Sequence, residues 1–227
     1  MRRALAILLL VAAPGIAACG SSKHKTSLPA SGKRQPSQKS AGCKRIAAPK
    51  PKPAGVFKRP KAKLNSSKSY ELVFDTSCGS FTVALDLKSA PNTAASLVFL
   101  AKKHFFDGTT FHRIVPGFVV QGGDPTGTGQ GGPGYTTVDR PPASVRYTQG
   151  VVAMAKAQTE PAGTAGSQFF VVAGADIGLT ADYAVVGKVA SGLPVVEAIA
   201  QLGSPSSGEA GTPTRPAEIV KVTVRQH

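Results

Sequence analysis

Segments in which apolar and polar residues alternate begin at Tyr70 and recur up to the end of the chain. The segments YELVFDT (70–76) and SFTVALDL (80–87) alternate on either side of a short turn, and they predict a β-hairpin. Six later segments are also predicted as strands, at 109–115, 117–123, 150–157, 167–174, 183–190 and 218–226.

Two segments have the spacing of helices instead. Residues 90–108 place apolar side chains at helical intervals, with Asn92 or Thr93 as the predicted N-cap and Gly108 after the predicted end. Residues 193–202 predict a second, shorter helix. About eight strands and two helices predict a mainly β fold, a closed eight-stranded antiparallel barrel capped by the two helices.

Residues 20–69 show neither pattern. They are rich in Ser, Pro, Lys and Arg and contain one aromatic residue, Phe57. A segment of this composition cannot bury enough apolar surface to fold alone, so it is predicted to be a disordered, partly polyproline tether. Two roles are open for it: a solvated spacer, which we take as primary, and attraction to anionic lipid or wall polymer.

The first residues predict export. Two arginines precede the apolar stretch ALAILLLVAA (4–13), which is too short for an ordinary membrane-spanning helix. The IAAC sequence that ends at Cys19 resembles the lipobox of bacterial lipoproteins, in which the cysteine is lipidated and becomes the mature N-terminus. The alternative is an ordinary secretory signal that is cut after Ala18.

These features predict three parts of the chain. They are a signal peptide at 1–18, a lipid-anchored linker at 19–69 and a folded domain at 70–227. The expected location is the extracytoplasmic face of a bacterial cell membrane, reached through the lipid anchor.

The net charge of +15 belongs to the N-terminal part of the chain. Residues 1–69 hold 16 Lys/Arg and no Asp/Glu, whereas residues 70–227 hold 11 Lys/Arg against 12 Asp/Glu. The cations also lack the interleaved aromatic residues of single-strand nucleic-acid binders. Nucleic acid is therefore not an expected partner.

Two further cysteines, Cys43 and Cys78, remain after such processing. Outside the cytoplasm they are able to form a disulfide, and the alternative is two free thiols. Neither their spacing nor their neighbours indicate a zinc site or a catalytic thiolate.

The sequence contains no convincing motif for a cofactor or for a catalytic nucleophile. GTGQGG (127–132) matches a dinucleotide-binding pattern, but no helical pattern follows it, so a surface loop is predicted. The chain has no G-x-S-x-G nucleophile elbow, and its four histidines do not have the spacing of a metal site. We expect neither a metal nor a cofactor.

An isolated arginine, Arg113, lies in the apolar segment FHRIVPGFVVQGGD (111–124). Strict alternation places Phe111 on the same face as Arg113, and Phe118 on the same face as Val120, with Gln121 on the other face. A face with an arginine, aromatic rings and an amide suits a peptide-binding groove. The alternatives are a core arginine paired with a nearby aspartate, Asp107 or Asp124, and an arginine on the rim.

Three segments resemble the cyclophilins, which are peptidyl-prolyl cis/trans isomerases. They are FHRIVPGFVVQGGDPTGTGQGGPG (111–134), VVAMAKAQTEPAGTAGSQFFVV (151–172) and YAVVGKVASGLPVVEAI (183–199). The likeness covers about 70–226, nearly the whole domain. It implies an eight-stranded antiparallel barrel capped by two helices, with the X-Pro groove on the outer face of the barrel.

The resemblance also implies roles for single residues. Arg113 matches the catalytic arginine of the family, and Gln121 matches a glutamine that contacts the substrate backbone. The remaining matches are Phe118, Val119, Phe170 and Leu179 for the proline pocket, Ala155, Lys156 and Ala157 for pairing with the peptide main chain, and Gly129 and Gln168 for the rest of the groove. Phe118 is grouped with Arg113 and Gln121 as catalytic.

Four positions depart from the family pattern. Val119 stands where methionine is usual, and Lys156 where asparagine is usual. Gly178 stands where many members have tryptophan, and because the chain has no tryptophan at all, weak cyclosporin binding is expected. Tyr183 stands where many members have histidine. Its hydroxyl either takes the role of that histidine or the ring simply fills space.

The predicted function is peptidyl-prolyl cis/trans isomerisation that assists the folding of exported proteins. Its expected partners are proline-containing peptide segments, and the protein is expected to act as a monomer. One alternative is a non-catalytic module or scaffold that binds proline peptides at the cell envelope. Another makes the basic tether the functional part and the folded domain a passenger.

Overall fold

A computed structural model describes residues 42–227 of this chain. The described part begins with an extended segment and then forms eleven strands and two α-helices. In chain order these are β1 (Tyr70–Thr76), β2 (Gly79–Leu85), α1 (Pro91–Lys102), β3 (Thr109–Thr110), β4 (Arg113–Val115), β5 (Val119–Gly122), β6 (Thr137–Val138), β7 (Val151–Met154), β8 (Thr164–Ala165), β9 (Phe169–Val172), β10 (Val185–Ser191), α2 (Leu193–Ala200), a 3-10 helix (Pro205–Ala210) and β11 (Glu218–Gln226).

Nine of these strands form one antiparallel sheet in the order β3-β11-β1-β2-β10-β7-β9-β5-β4, and β6 pairs with β8 in a separate ribbon. The sheet is curled, because an isolated bridge joins Thr110 of the edge strand β3 to Asp124, just beyond β5 near the other edge. The sheet has nine strands rather than the predicted eight, because the segment 109–115 is divided into β3 and β4.

The division at Phe111 and His112 changes which side chains share a face. The amide of Phe111 donates to the carbonyl of Ala217 at 2.9 Å, and from Arg113 onward the chain pairs with β5 instead. Phe111 is 1% exposed and lies in the core, so the predicted shared face of Phe111 and Arg113 is wrong. The prediction of strict alternation failed because the chain changes pairing partner between these residues.

The main core fills the inside of the curled sheet. Phe74 stacks on Phe81 with ring centroids 4.8 Å apart, and Phe169 lies 5.2 Å from Phe74. Both helices cover this core, α1 through buried residues such as Leu97 and α2 through Ile199. Burial of each such side chain stabilises the fold by about 1.5–3 kcal/mol.

The N-terminus of α1 is capped by a distant carboxylate rather than by a local side chain. Ala90 occupies the N-cap position, and neither Asn92 nor Thr93 is the cap that the sequence predicted. Asp139 instead accepts hydrogen bonds from the amide of Thr93 at 2.7 Å and from its hydroxyl at 2.6 Å. A negative charge there is favourable because the first amides of a helix carry partial positive charge. The helix ends at Lys102, earlier than the predicted stop at Gly108.

Residues 42–69, which we call the strap, pack in an extended conformation on the domain. The amides of Gly55 and Phe57 donate to the carbonyls of Gly132 and Pro133 at 2.8 and 2.9 Å. For these residues the prediction of a disordered linker is wrong. The strap has no core of its own, but the rest of the domain supplies its backbone acceptors and a packing site for Phe57.

A disulfide joins Cys43 of the strap to Cys78, with the sulfur atoms 2.07 Å apart. The structure therefore has the bridged form rather than two free thiols. The predicted signal peptide at 1–18, the lipidation site Cys19 and the first part of the linker lie outside the described residues. Within residues 42–227, no helix has both the length and the apolar character needed to cross a bilayer.

Candidate active site

One row of side chains crosses the outer face of strands β4, β5, β9 and β7. Arg113 lies directly opposite Gln121, Gln121 opposite Phe170, and Phe170 opposite Ala153. Residues opposite each other in neighbouring strands point to the same side of the sheet. The register of these strands therefore places a guanidinium, an amide and an aromatic ring side by side.

A second apolar cluster forms around this row, separate from the main core. Its buried members include Val119, Phe170 and Tyr147, and Phe118, Leu179 and Tyr183 pack against them. Val119 and Phe170 are 2% and 4% exposed. Phe118 precedes β5 in the turn and belongs to this outer cluster with Val119, so its predicted shared face with Val120 is wrong.

A cavity of about 590 Å³ opens above this cluster, and we call it the first cavity. Its wall is apolar on one side and carries Arg113, Gln121 and Lys156 on the others. The residues that line it are Arg113, Val115, Phe118, Val119, Gln121, Ala155, Lys156, Gln158, Phe170, Leu179, Tyr183 and Glu209.

Arg113 is held at the edge of the first cavity by two acceptors. Its Nε donates to the carbonyl of Glu209 at 2.9 Å, and its Nη1 donates to Oε1 of Gln121 at 3.3 Å. The guanidinium carbon also lies 5.9 Å from the ring centroid of Phe118. Within residues 42–227 Arg113 forms no salt bridge, so neither Asp107 nor Asp124 pairs with it.

Gln121 connects Arg113 to the loop at 127–134, which we call the glycine-rich loop. Its Nε2 donates to Oε1 of Gln168 at 3.1 Å. The Nε2 of Gln168 in turn donates to the carbonyls of Gly129 and Gly131, both at 2.9 Å. These bonds fix the orientation of both amides, since each uses its oxygen as acceptor and its nitrogen as donor.

This loop forms one wall of a second cavity of about 750 Å³. The second cavity shares four lining residues with the first, so the two adjoin: Gln121, Ala155, Lys156 and Gln158. The GTGQGG segment lies in this wall as a loop, with no helix after it.

Partly buried His112 and buried Asp124 lie next to Gln121 and Gly129, respectively. Burial lowers the pKa of His112 below its ordinary value, and the nearby charge of Asp124 only partly opposes this. Burial alone would raise the pKa of Asp124, but hydrogen bonds from Thr126 and the amide of Gly129 lower it below the usual range. The ionised carboxylate thus anchors the start of the loop.

The segment 155–157 lines the groove, but two of its amides are already bonded. The amide of Ala155 donates to the carbonyl of Gln168 at 2.9 Å, and that of Ala157 donates to Oε2 of Glu160 at 2.7 Å. The pairing of this stretch with a peptide main chain stays a prediction. Lys156 lies beside them with its Nζ 5.7 Å from the ring centroid of Tyr183.

Tyr183 closes the apolar side of the first cavity. Its ring packs edge-on against Phe170, with centroids 5.6 Å apart. The backbone of Tyr183 is held by Tyr147, whose hydroxyl accepts from the Tyr183 amide at 3.0 Å and donates to its carbonyl at 2.8 Å. The two predicted roles of Tyr183, a histidine-like hydroxyl and a space-filling ring, both stay predictions.

The structure brings together every groove residue that the resemblance implied. Gly129, Ala157 and Gln168 line the second cavity, and the other matched residues line the first. Sequence reasoning missed Tyr147, Gln158 and the carbonyl of Glu209. Only Tyr147 gave a signal, as an aromatic residue next to a predicted loop. No group of His, Cys, Asp or Glu within 42–227 is arranged to hold a metal.

Comparisons of the sequence and of the structure with known proteins agree with one another. The family model described as cyclophilin type peptidyl-prolyl cis-trans isomerase/CLD matches residues 72–224. The chain is 35% identical over 158 residues to peptidyl-prolyl cis-trans isomerase-like 1 of Aspergillus fumigatus, covering 68% of this chain and 94% of that protein. It is 36% identical over 166 residues to peptidyl-prolyl cis-trans isomerase A of Mycobacterium tuberculosis, covering 66% of this chain and 88% of that protein.

A solved structure is also similar. It is a cyclophilin-type peptidyl-prolyl cis-trans isomerase of Cryptosporidium parvum, crystallised in the presence of the dipeptide Ala-Pro. The TM-score is 0.61 at 27% sequence identity, and the match covers 68% of this chain and 98% of that one.

Proposed function

This chain belongs to the cyclophilin-type peptidyl-prolyl cis-trans isomerase family, and from that membership we propose how its first cavity accelerates rotation about X-Pro bonds. Amide resonance sets a rotation barrier of about 18–20 kcal/mol. Lowering it requires neither a nucleophile nor proton transfer. It requires a donor that interacts more strongly with the twisted amide than with the planar one.

Arg113 is that donor in our proposal. A guanidinium has five N–H groups, and the bonds to Glu209 and Gln121 use two of them. The remaining donors face no carboxylate among the described residues, so they are available to a prolyl nitrogen as it becomes pyramidal. This fixed arginine, beside a cavity of about 590 Å³ with an apolar wall on one side, is the observation that carries the proposal.

The apolar wall holds the proline ring. Phe118, Val119 and Phe170 exclude water from one side of the first cavity, which strengthens the electrostatic effect of Arg113. The Cryptosporidium relative crystallised in the presence of Ala-Pro supports a proline-containing peptide as the ligand. Gln121 and the main chain at Ala155 and Lys156 then hold the flanking peptide while the bond turns.

We further propose where the protein works. Lipidation at Cys19 would anchor it to the extracytoplasmic face of a bacterial membrane, where it assists the folding of exported proteins as a monomer. The lipobox-like sequence and the Cys43–Cys78 disulfide support an oxidising, external location.

The Thr110–Asp124 bridge supports the closed-barrel form of the sheet.

The second candidate function is a non-catalytic module that grips proline peptides. The observation in its favour is Lys156, whose Nζ donates to the carbonyls of Ala157 and Glu160 at 3.2 and 2.9 Å beside the groove.

One experiment separates the first two candidates. The rate of cis/trans exchange and the dissociation constant are measured for the same proline tetrapeptide with the full chain. An isomerase increases the exchange rate in proportion to its concentration. Saturable binding without any increase in rate would decide for the binding module.

A further inference from the structure

The strap contacts the loop that forms one wall of the second cavity. The family match begins at residue 72, so the strap precedes the matched part of the chain. Its amides at Gly55 and Phe57 donate to the carbonyls of Gly132 and Pro133, at 2.8 and 2.9 Å. Both acceptors belong to the residues that line the second cavity.

Side chains of the strap anchor these backbone contacts. The ring of Phe57 packs edge-on against Phe99 and Phe105, with centroids 5.9 and 6.0 Å apart. The Nζ of Lys52 donates to the carbonyls of Phe105 and Asp107 at 2.6 and 2.7 Å. Between these anchors Val56 points away from the domain and is 94% exposed.

The fit between strap and loop is close. Gly134 has a φ of +92°, and a Cβ atom on it would lie 2.7 Å from the carbonyl oxygen of Gly55. A Cβ atom on Gly55 would in turn lie 3.0 Å from Phe105, Phe57 and Pro133. The loop therefore has no space to move toward the strap, and the two hydrogen bonds prevent it from moving away.

From these contacts we propose that the strap is a positioning element for the second cavity. By holding Gly132 and Pro133, the strap sets the width of the second cavity. That width determines which side chain the protein prefers at the peptide position that flanks the proline. The favoured substrate is a peptide with a long polar side chain at that place, because the residues that line the second cavity are mostly glycines and polar side chains. The proposal rests on the isomerase function of the adjoining first cavity.

The test compares Phe57→Ala with Val56→Ala as the matched control, in the full chain. Two tetrapeptides are used, one with glycine next to the proline and one with glutamine there. Loss of the strap anchor lowers kcat/KM for the glutamine peptide about fivefold relative to the glycine peptide, since small displacements of a positioning group weaken catalysis strongly. Val56→Ala leaves the ratio of the two peptides unchanged.

Equal losses for both peptides in Phe57→Ala, or an unchanged ratio, would overturn the proposal. A parent protein that does not distinguish the two peptides would overturn it as well. If Phe57→Ala does not fold, Lys52→Met replaces it, because this change removes two anchoring bonds and leaves Phe57 in place.

Dissociation constants for both peptides are measured alongside the rates. A parent that binds without turnover refutes the proposed function, yet the ratio of affinities still tests the strap. Hydrogen exchange of the Gly55 and Phe57 amides reports directly whether the strap has left the loop. Faster exchange with an unchanged ratio would mean that the strap has no influence on specificity.

Discussion

Replacing Gln121 by leucine tests how Arg113 is positioned. Gln121 accepts one hydrogen bond from Arg113 at 3.3 Å and donates another to Gln168 at 3.1 Å. Leucine has a similar size but makes neither bond. Arg113 then keeps the carbonyl of Glu209 as acceptor, and Gln168 keeps its two bonds to the loop, so neither residue is released from the fold.

The magnitude follows from the bonds that are lost. A hydrogen bond to a charged group contributes about 1.5–3 kcal/mol, and each 1.36 kcal/mol corresponds to roughly tenfold in rate. We therefore expect Gln121→Leu to lower kcat/KM by about tenfold to a hundredfold. The free energy of unfolding should fall by no more than about 1.5–3 kcal/mol, because the bond to Arg113 is also lost from the folded state.

The assay is cis/trans exchange of a proline tetrapeptide, with thermal unfolding measured on the same samples. Gln149→Leu is the control, since this glutamine bonds to Glu197 away from either cavity. The double variant with Arg113→Ala should lose less than the two single losses combined, because part of the effect of Gln121 passes through the arginine. Additive losses in the double variant would refute this reasoning.

Three further predictions concern stability. Asp139→Asn should lower the free energy of unfolding by about 1–2 kcal/mol, measured by urea denaturation, because α1 loses its charged cap at Thr93; an unchanged midpoint would contradict this. Cys43→Ser should cost about 3–4 kcal/mol under oxidising conditions and nothing extra in reductant, since the Cys43–Cys78 bridge spans 35 residues. Because the pKa of His112 is lowered in the folded protein, its neutral form stabilises the fold above about pH 6.5, and this stability is lost as the pH falls. The melting temperature of His112→Asn should therefore change less between about pH 7 and 5 than that of the parent. An equally steep dependence on pH would contradict the prediction.

Most of the sheet could be predicted because its strands alternate where they pack on the core. The strand 218–226 has the predicted bounds, and the hairpin of β1 and β2 lies where the alternation placed it. The break at Phe111 could not be predicted, because it depends on a change of pairing partner from β11 to β5. Alternation within one segment carries no information about its partners.

The residues that form the site could be predicted from the sequence, but the groups that hold them in place could not. Arg113 and Gln121 could be assigned from the resemblance. The acceptor that holds Arg113 is a backbone carbonyl, that of Glu209, and it lies 96 residues away in the sequence. Because every residue has a backbone carbonyl, the residue type at position 209 does not indicate that its carbonyl holds Arg113.

The strap was mispredicted for a related reason. Its composition is that of a disordered segment, and the rule that such segments stay unfolded assumes that they have only themselves to pack against. Phe57 is a single aromatic residue, but Phe99 and Phe105 provide a ready site for it. Composition describes what a segment can bury alone, not what a neighbouring domain offers it.

The most direct test of the account is the exchange rate of a proline tetrapeptide with the parent chain, Arg113→Ala and Arg146→Ala. Arg146 is the control, an exposed arginine that pairs with Asp176 outside the first cavity. Removal of a single stabilising donor typically costs about a hundredfold or more in rate, so Arg113→Ala should lose that much while its peptide affinity changes little. Arg146→Ala should match the parent. An Arg113→Ala rate within about twofold of the parent, far below the loss expected for a catalytic donor, would contradict the central role of this arginine.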